Sequence, residues 1–136
     1  MKIGGYDIPS KFNTKAMIDI EELIGGDVDK LSEFIAAEGI TTGTTLKRLA
    51  QIVTILANGA VFAHNKDIEF GFKQGEKKQF FTEDFFLAKI EIQDIQECMQ
   101  SINEEIYKGT AVVVPDNVKI AEEDEVLAEI EEIKNQ

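Results

Sequence analysis

The chain has 136 residues, 43% of them hydrophobic, which is enough for one domain with its own core. Its 26 carboxylates outnumber the 14 Lys and Arg residues, for a net charge of −12. This charge disfavours binding to nucleic acid, because phosphates need Lys and Arg side chains as partners. The single cysteine, Cys98, excludes an internal disulfide and favours a reducing, cytoplasmic setting.

The N-terminal residues predict a short β-ribbon. Gly4–Gly5 is suited to the positive φ angles of a tight hairpin turn and lies between apolar residues. Residues 2–8 are therefore expected to form a ribbon or an extended arm, which Pro9 ends. No apolar run follows Lys2, so the segment is not expected to be a secretion signal.

Two helices are predicted next. Asn13 is a good N-cap for the first, and Gly25–Gly26 stops it. The second is expected from about Asp27 to Glu38, with Asp27 or Asp29 as its cap. Residues at helical spacing give both helices an apolar face: Ala16, Met17, Ile20, Leu23 and Ile24 in the first, and Val28, Leu31, Phe34 and Ile35 in the second.

Thr44–Asn65 is predicted to be the central helix, because its last 17 residues carry no formal charge. Three threonines are candidate caps: Thr42, Thr44 and Thr45. Asn58–Gly59 is interpreted as a kink or as a point where a neighbour packs closely, with a C-terminal stop as the less favoured alternative. Several polar residues interrupt the run, and a membrane span needs roughly 20 mostly apolar residues. A membrane helix is therefore not expected.

Residues 65–81 change in character. Ile68, Phe70 and Phe72 alternate with charged or small residues, which predicts a short strand and a minor hairpin that turns near Gly75, with an ordered loop as the alternative. Three lysines accompany the aromatic residues, as in sites for single-stranded nucleic acid: Lys73, Lys77 and Lys78. Carboxylates are mixed among them, so nucleic-acid binding is not expected.

One long helix is predicted after this segment. Thr82 is its expected cap, and the helix should run to about Lys108 and end at Gly109. The positive end of the helix dipole favours the acidic residues in its first turn. Apolar residues at steps of three and four form a seam along it, first Phe86 and Ile90, and then Ile92, Ile95, Met99, Ile102 and Ile106.

The composition changes again after Gly109, which divides the chain into a helical domain, 1–110, and an acidic tail, 111–136. Asp116–Gln136 holds eight carboxylates and two Lys, a net charge of −6. Two interpretations stay open: a flexible solvating tail, or a tail helix that orders on a partner. The second is suggested by an apolar stripe of candidate partner-binding residues: Val126, Leu127, Ile130 and Ile133.

The fold class that follows is mostly α. It is a small domain of about four helices with a short N-terminal β-ribbon and the optional minor hairpin, followed by the acidic tail helix.

The residues do not predict an enzyme, a metal site or a cofactor. His64, the only imidazole, is expected to be a hydrogen-bonded helix residue, and Cys98 to be packed. A row of carboxylates on one predicted helical face is interpreted as a solvated surface: Glu91, Asp94 and Glu97.

A family resemblance adds to these predictions. It is carried by FNTKAMIDIEELIGG, by LKRLAQIVTILANGAVFAHN and by the Thr-Glu-Asp-led helix from Thr82, in this order after an N-terminal ribbon. In these features the chain resembles the tail assembly chaperones of long-tailed bacteriophages, particularly those of Gram-positive hosts and their prophages. The resemblance covers about Lys2 to Gly109.

The resemblance implies a small, mostly helical protein of the host cytoplasm without catalysis. Its partners would be the long tape-measure protein, which such chaperones coat or keep soluble, and the tail-tube subunits recruited around it. The family commonly makes a longer form by translational frameshifting. Self-association is left open by the residues, and the acidic tail is the expected contact surface.

The net charge of −12 also permits a different class of function. An acidic inhibitor or regulator, such as an antitoxin or a DNA mimic, would occupy a basic groove on another protein. Binding of that kind weakens steeply as salt rises, whereas binding through apolar stripes persists.

Overall fold

The structure, a computed structural model, describes residues 1–110. This part is mostly helical and begins with a two-stranded antiparallel hairpin, which confirms the predicted fold class. The predicted tail helix lies outside the described residues. The helices are α1 (Thr14–Ile24), α2 (Leu31–Ile35), α3 (Thr42–Glu69), α4 (Glu83–Lys89) and α5 (Ile95–Thr110).

The predicted ribbon is a hairpin of β1 (Lys2–Ile3) and β2 (Tyr6–Asp7). Gly4 and Gly5 form its turn with φ angles of 55° and 85°, which other residues rarely adopt. A Cβ on Gly4 would lie 2.7 Å from the backbone oxygen of Lys89, so the turn also lies against the end of α4. The hairpin therefore closes one end of the helical core.

Helix α1 begins and ends where the sequence predicts. The Asn13 side chain accepts a hydrogen bond from the Ala16 amide at 3.1 Å, which caps the first turn. Gly25 ends the helix in the left-handed region, at a φ of 71°.

The second predicted helix is shorter than the range Asp27–Glu38. After a 3-10 turn that Asp27 caps, α2 ends at Ile35. A helix reaching Glu38 would use the Glu38 amide as donor to the Phe34 oxygen. Arg48 of α3 supplies that donor instead at 2.6 Å, and its guanidinium lies 4.5 Å from the centre of the Phe34 ring.

Helix α3 is longer than the predicted range 44–65 at both ends. Its N-cap is Thr41, which has an extended backbone and accepts a hydrogen bond from the Thr44 amide at 3.2 Å. The prediction of Thr42, Thr44 or Thr45 as the cap was wrong, because all three already lie within the helix.

Gly59 allows the chain before α1 to pass directly over α3. A Cβ at this position would collide with the backbone oxygen of Lys11, and the Lys11 amide donates to the Leu56 oxygen at 3.0 Å. The helix continues through Asn58–Gly59 to Glu69. The close-packing interpretation is therefore confirmed, and the alternative of a stop is wrong.

Within residues 1–110, α3 is the one helix long and apolar enough to cross a membrane, a property that the core helices of globular proteins share. In this fold it packs against α1, α4 and α5. It contributes the centre of the core with Leu49, Ala50, Ile52, Val53, Leu56, Ala57, Gly59 and Val61.

The strand and minor hairpin predicted after Asn65 are wrong. Residues up to Glu69 continue α3, and residues 70–81 contain neither helix nor strand. The alternation that suggested a strand has no neighbour to pair with, because β1 and β2 pair with each other at the opposite end of the chain. The alternative prediction of a loop is the correct one.

The single helix predicted over 82–108 is divided into α4 and α5. Ile90, between them, has an extended backbone and a buried side chain. The Glu91 amide then donates to the Asp94 carboxylate at 2.8 Å, in a reciprocal cap that starts a new helical segment. The sequence already holds a sign of this break, since the step of two between Ile90 and Ile92 does not fit one helical face.

The end of α5 lies against the segment that precedes α1. Gly109 was expected to end the helix, but it lies within the last turn, which continues to Thr110. A Cβ on Gly109 would be 2.5 Å from the backbone oxygen of Phe12, so glycine is needed here for close packing. Nearby, the Ser10 hydroxyl donates to the buried Glu105 carboxylate at 2.7 Å.

Candidate functional site

Residues 70–81, called here the phenylalanine loop, run back along the second half of α3. Asn58 of α3 accepts a hydrogen bond from the Phe81 amide at 2.7 Å and donates to the Phe81 oxygen at 3.0 Å. Asn65 makes the same two hydrogen bonds with Lys78, at 2.7 and 3.0 Å. Two helix side chains thus satisfy backbone groups of the loop as a neighbouring strand would.

The spacing of the two asparagines sets the position of the loop. Asn58 and Asn65 are two helical turns apart, which corresponds to about 10 Å along the axis. The three residue steps from Lys78 to Phe81 cover about the same distance when the chain is extended. His64 adds a third contact, because its Nε2 lies 3.0 Å from the Glu76 oxygen.

Three phenylalanine side chains of this loop are exposed to solvent. The exposed fractions are 71% for Phe70, 84% for Phe72 and 47% for Phe80. Full burial of one such side chain contributes roughly 1.5–3 kcal/mol, most of which the fold forgoes at Phe70 and Phe72 and about half at Phe80. Exposed apolar side chains gathered on one segment are typical of a surface that binds a partner.

Lysines lie around the loop. Glu69, at the end of α3, forms ion pairs with Lys66 and Lys77, each at 2.9 Å. Hydrogen bonds from Lys66, which has the larger effect, and from Lys77 lower the pKa of Glu69 to about 2. Lys73 and Lys78 form no ion pair within residues 1–110. Their charges are therefore available to carboxylates of a partner.

Two shallow clefts lie where the loop meets α3, and Phe62 and Phe80 line both. One, of about 360 Å³, extends to Lys15 and Asp19 of α1, and the other, of about 330 Å³, extends to Lys66. The Lys15 and Lys66 ammonium groups lie 5.9 and 5.6 Å from the centre of the Phe62 ring. Both ammonium groups are paired with carboxylates of the same clefts, those of Asp19 and Glu69. The aromatic side chains between them suit the apolar stripe of an amphipathic helix.

The two residues weighed for catalysis have structural surroundings. His64 is half-buried and holds the loop through Glu76, as the prediction of a hydrogen-bonded histidine states. Cys98 is fully buried in α5, which confirms the prediction that it is packed. Burial, followed by the charges of Asp94 and Glu97, raises the pKa of its thiol to about 12, so the reactive thiolate is not formed at neutral pH.

The predicted row of carboxylates does not gather into a cluster of ligands. Glu91 and Asp94 form the reciprocal cap between α4 and α5, while Glu97 is exposed in the first turn of α5. Nowhere in residues 1–110 does a group of three or more His, Cys, Asp or Glu side chains lie in a position to hold a metal ion.

The partner-binding stripe predicted in the tail lies outside the described residues: Val126, Leu127, Ile130 and Ile133. The phenylalanine loop was not predicted as a binding surface from the sequence. The signal that could have revealed it is the pair Asn58 and Asn65, since two amides on one side of an otherwise apolar helix need polar partners there.

Comparison with known proteins places the chain in no family. It matches no protein-family model, no curated protein and no solved structure.

Proposed function

We propose that this chain is a phage tail assembly chaperone that acts without catalysis. In the host cytoplasm it would bind the tape-measure protein at the phenylalanine loop and help to recruit tail-tube subunits. The observation that carries the proposal is the exposure of Phe70, Phe72 and Phe80 on a loop that α3 holds in place. The order of sequence features that resembles this family supports the choice of client.

The chemistry of the surface fits such a client. A long helical protein exposes apolar stripes before it assembles, and aromatic side chains on a held loop can cover them at little cost in ordering. The net charge of −12 keeps the complex dispersed, because like-charged particles repel one another. Affinity would thus come from the loop and solubility from the acidic remainder of the chain.

The test is co-expression with a tape-measure fragment that is insoluble alone. The wild-type chain should keep the fragment in the soluble fraction, and a triple serine variant of the loop should not: Phe70→Ser, Phe72→Ser and Phe80→Ser. The matched control replaces three exposed apolar residues elsewhere, with exposed fractions of 50%, 46% and 66%: Ile18→Ser, Leu87→Ser and Ile92→Ser. It should behave as the wild type does.

Equal solubility of the fragment with the wild type and the loop variant would overturn the proposal. Salt provides a second discrimination. Capture through phenylalanines should persist at physiological and higher salt, whereas an acidic inhibitor of a basic groove should release its partner as salt rises. Release of the fragment at physiological salt would favour that other class.

A further inference from the structure

We infer that the acidic C-terminal segment of this same chain docks in cis on the phenylalanine loop and covers it until a client takes its place. The contact would use the apolar stripe of that segment: Val126, Leu127, Ile130 and Ile133. The contact itself does not depend on the client, whereas its covering role rests on the proposed function.

The first support is the place where the described part of the chain ends. A Cβ on Gly109 would be 2.5 Å from the Phe12 oxygen, and the preceding carbonyl, that of Lys11, contacts Gly59. Bond lengths and one peptide spacing then place the Cα atoms of Gly109 and Gly59 within about 13 Å of each other. Gly59 lines the cleft that Phe80 also lines. The C-terminal segment therefore starts beside the part of that surface that carries Phe80.

The second support is reach. Residues 111–125 connect α5 to the stripe, and fifteen residues span at most about 50 Å. This limit exceeds the separation of about 13 Å between Gly109 and Gly59 estimated above, so the stripe can reach the part of the loop beside Gly59. Because the two surfaces belong to one molecule, the stripe meets the loop at an effective concentration of the order of millimolar.

The third support is charge complementarity. Residues 66–78 hold four Lys and three carboxylates, a net charge of +1, in a chain whose total is −12. Asp116–Gln136 carries a net charge of −6. Lys73 and Lys78, which form no ion pair within the described part of the chain, lie on the loop itself. An acidic segment is thus attracted to this surface and repelled by the rest of the domain.

The fourth support is the match of lengths. The stripe from Val126 to Ile133 covers about 10 Å when helical. The loop lies along α3 over about the same distance, from Asn58 to Asn65. One short amphipathic helix would therefore cover the part of the loop from Lys78 to Phe81, which carries Phe80.

The absence of tryptophan from the chain permits a direct test in the full-length protein. Phe80→Trp places a single reporter on the part of the loop that lines the cleft with Gly59, at a side chain that is 47% exposed. In this background Leu127→Asp with Ile130→Asp disrupts the stripe. The matched control, Ala121→Asp with Ala128→Asp, adds the same charge at positions opposite the stripe on a helical projection.

The emission maximum of the reporter should be at shorter wavelength in the parent and in the control than in the stripe variant, at every protein concentration. Identical emission in all three proteins would overturn the cis contact. A difference that disappears on dilution would also overturn it, since the contact would then join two copies. A reporter at Tyr107→Trp provides a further check. If it responds to the stripe substitutions and the loop reporter does not, the segment packs beside α5 and the cis contact with the loop is overturned.

Client binding separates the covering role from the proposed function. A loop that is covered nine-tenths of the time binds its client about tenfold more weakly, because open molecules alone can bind. The stripe variant should therefore bind a soluble tape-measure fragment about tenfold more tightly than the control. Equal affinities would overturn the covering role, and no binding by either protein would overturn the proposed function while the emission result still decides the contact.

Discussion

Phe80 and Phe81 are neighbours in the chain and have opposite surroundings. Phe80 is 47% exposed, whereas the ring of Phe81 lies 5.5 Å from Phe86 and 5.7 Å from Phe85. The boundary between an inner aromatic cluster and an outer aromatic surface therefore falls at one peptide bond. The first group stabilises the fold, and the second is available to a partner.

The outer aromatic side chains do not lie on a loosely held segment. The loop that carries them is held at Asn58, His64 and Asn65 of α3, and by the ion pair between Lys77 and Glu69. Such a surface loses less conformational entropy on binding than a slack loop would. Variants that affect one group and not the other test this distinction.

The largest expected effect comes from the inner cluster. Phe86→Ala should lower the free energy of unfolding by ~3–5 kcal/mol, because the fully buried ring leaves a cavity. Phe72→Ala should change it by less than about 0.5 kcal/mol, because that ring lies in water. Urea titration followed by circular dichroism measures both. Comparable losses in the two variants would show that the loop phenylalanines belong to the core.

The next effect concerns the segment that passes over α3. Gly59→Ala places a methyl group against the backbone oxygen of Lys11 and should cost about 1–3 kcal/mol of stability. Gly43→Ala, in the first turn of the same helix, makes only an ordinary contact with the Thr41 hydroxyl at 3.9 Å and should stabilise by about 0.5–1 kcal/mol. Thermal unfolding of the two proteins should therefore move in opposite directions. A neutral Gly59→Ala would contradict the close approach.

A smaller effect is expected from the contacts that hold the loop. Asn65→Ala removes two hydrogen bonds to Lys78 in a largely exposed setting, for a loss of about 1 kcal/mol. Amide exchange of Lys78 should accelerate, while exchange within the core of α3 should not change. Asn103→Ala, at an exposed position of α5, serves as the control and should alter neither rate. Unchanged exchange at Lys78 in the Asn65 variant would refute this role.

The smallest effect involves the ion pairs of Glu69. Hydrogen bonds from Lys66 and Lys77 lower its pKa from 4.5 to about 2. The contribution of these pairs is therefore present above pH 4.5 and is lost as the pH falls towards about 2. In a carboxyl-detected NMR titration, the midpoint of Glu69 should lie well below 4.5. A midpoint near 4.5 would mean that the pairs do not persist in solution.

Local signals in the sequence were sufficient for much of the fold. The Gly4–Gly5 turn, the Asn13 cap and the Gly25 stop each depend on a few neighbouring residues, and all three predictions are confirmed. The division near Ile90 was missed, because a continuous apolar seam outweighed one irregular step. The Asp94 side chain, through its bond to the Glu91 amide, decides this point.

The loop after α3 required information that periodicity does not contain. Alternating Ile68, Phe70 and Phe72 predict a strand only if another strand lies beside them, and here none does. What positions the loop is a pair of helix side chains, Asn58 and Asn65, that bind backbone groups more than ten residues later. Such contacts depend on the final arrangement, so the exposed phenylalanines could not be distinguished from core residues beforehand.

Hydrogen exchange with a soluble tape-measure fragment tests most directly whether the phenylalanine loop is the docking surface. The protein carries Leu127→Asp with Ile130→Asp, so that the C-terminal segment does not protect the loop beforehand, and its peptides are compared with and without a saturating amount of fragment. Residues 70–81 should gain protection in this protein and gain none in the same protein with the three loop serine substitutions. Protection confined to the hairpin, to α1 or to α5, with residues 70–81 unchanged, would show that the client docks elsewhere.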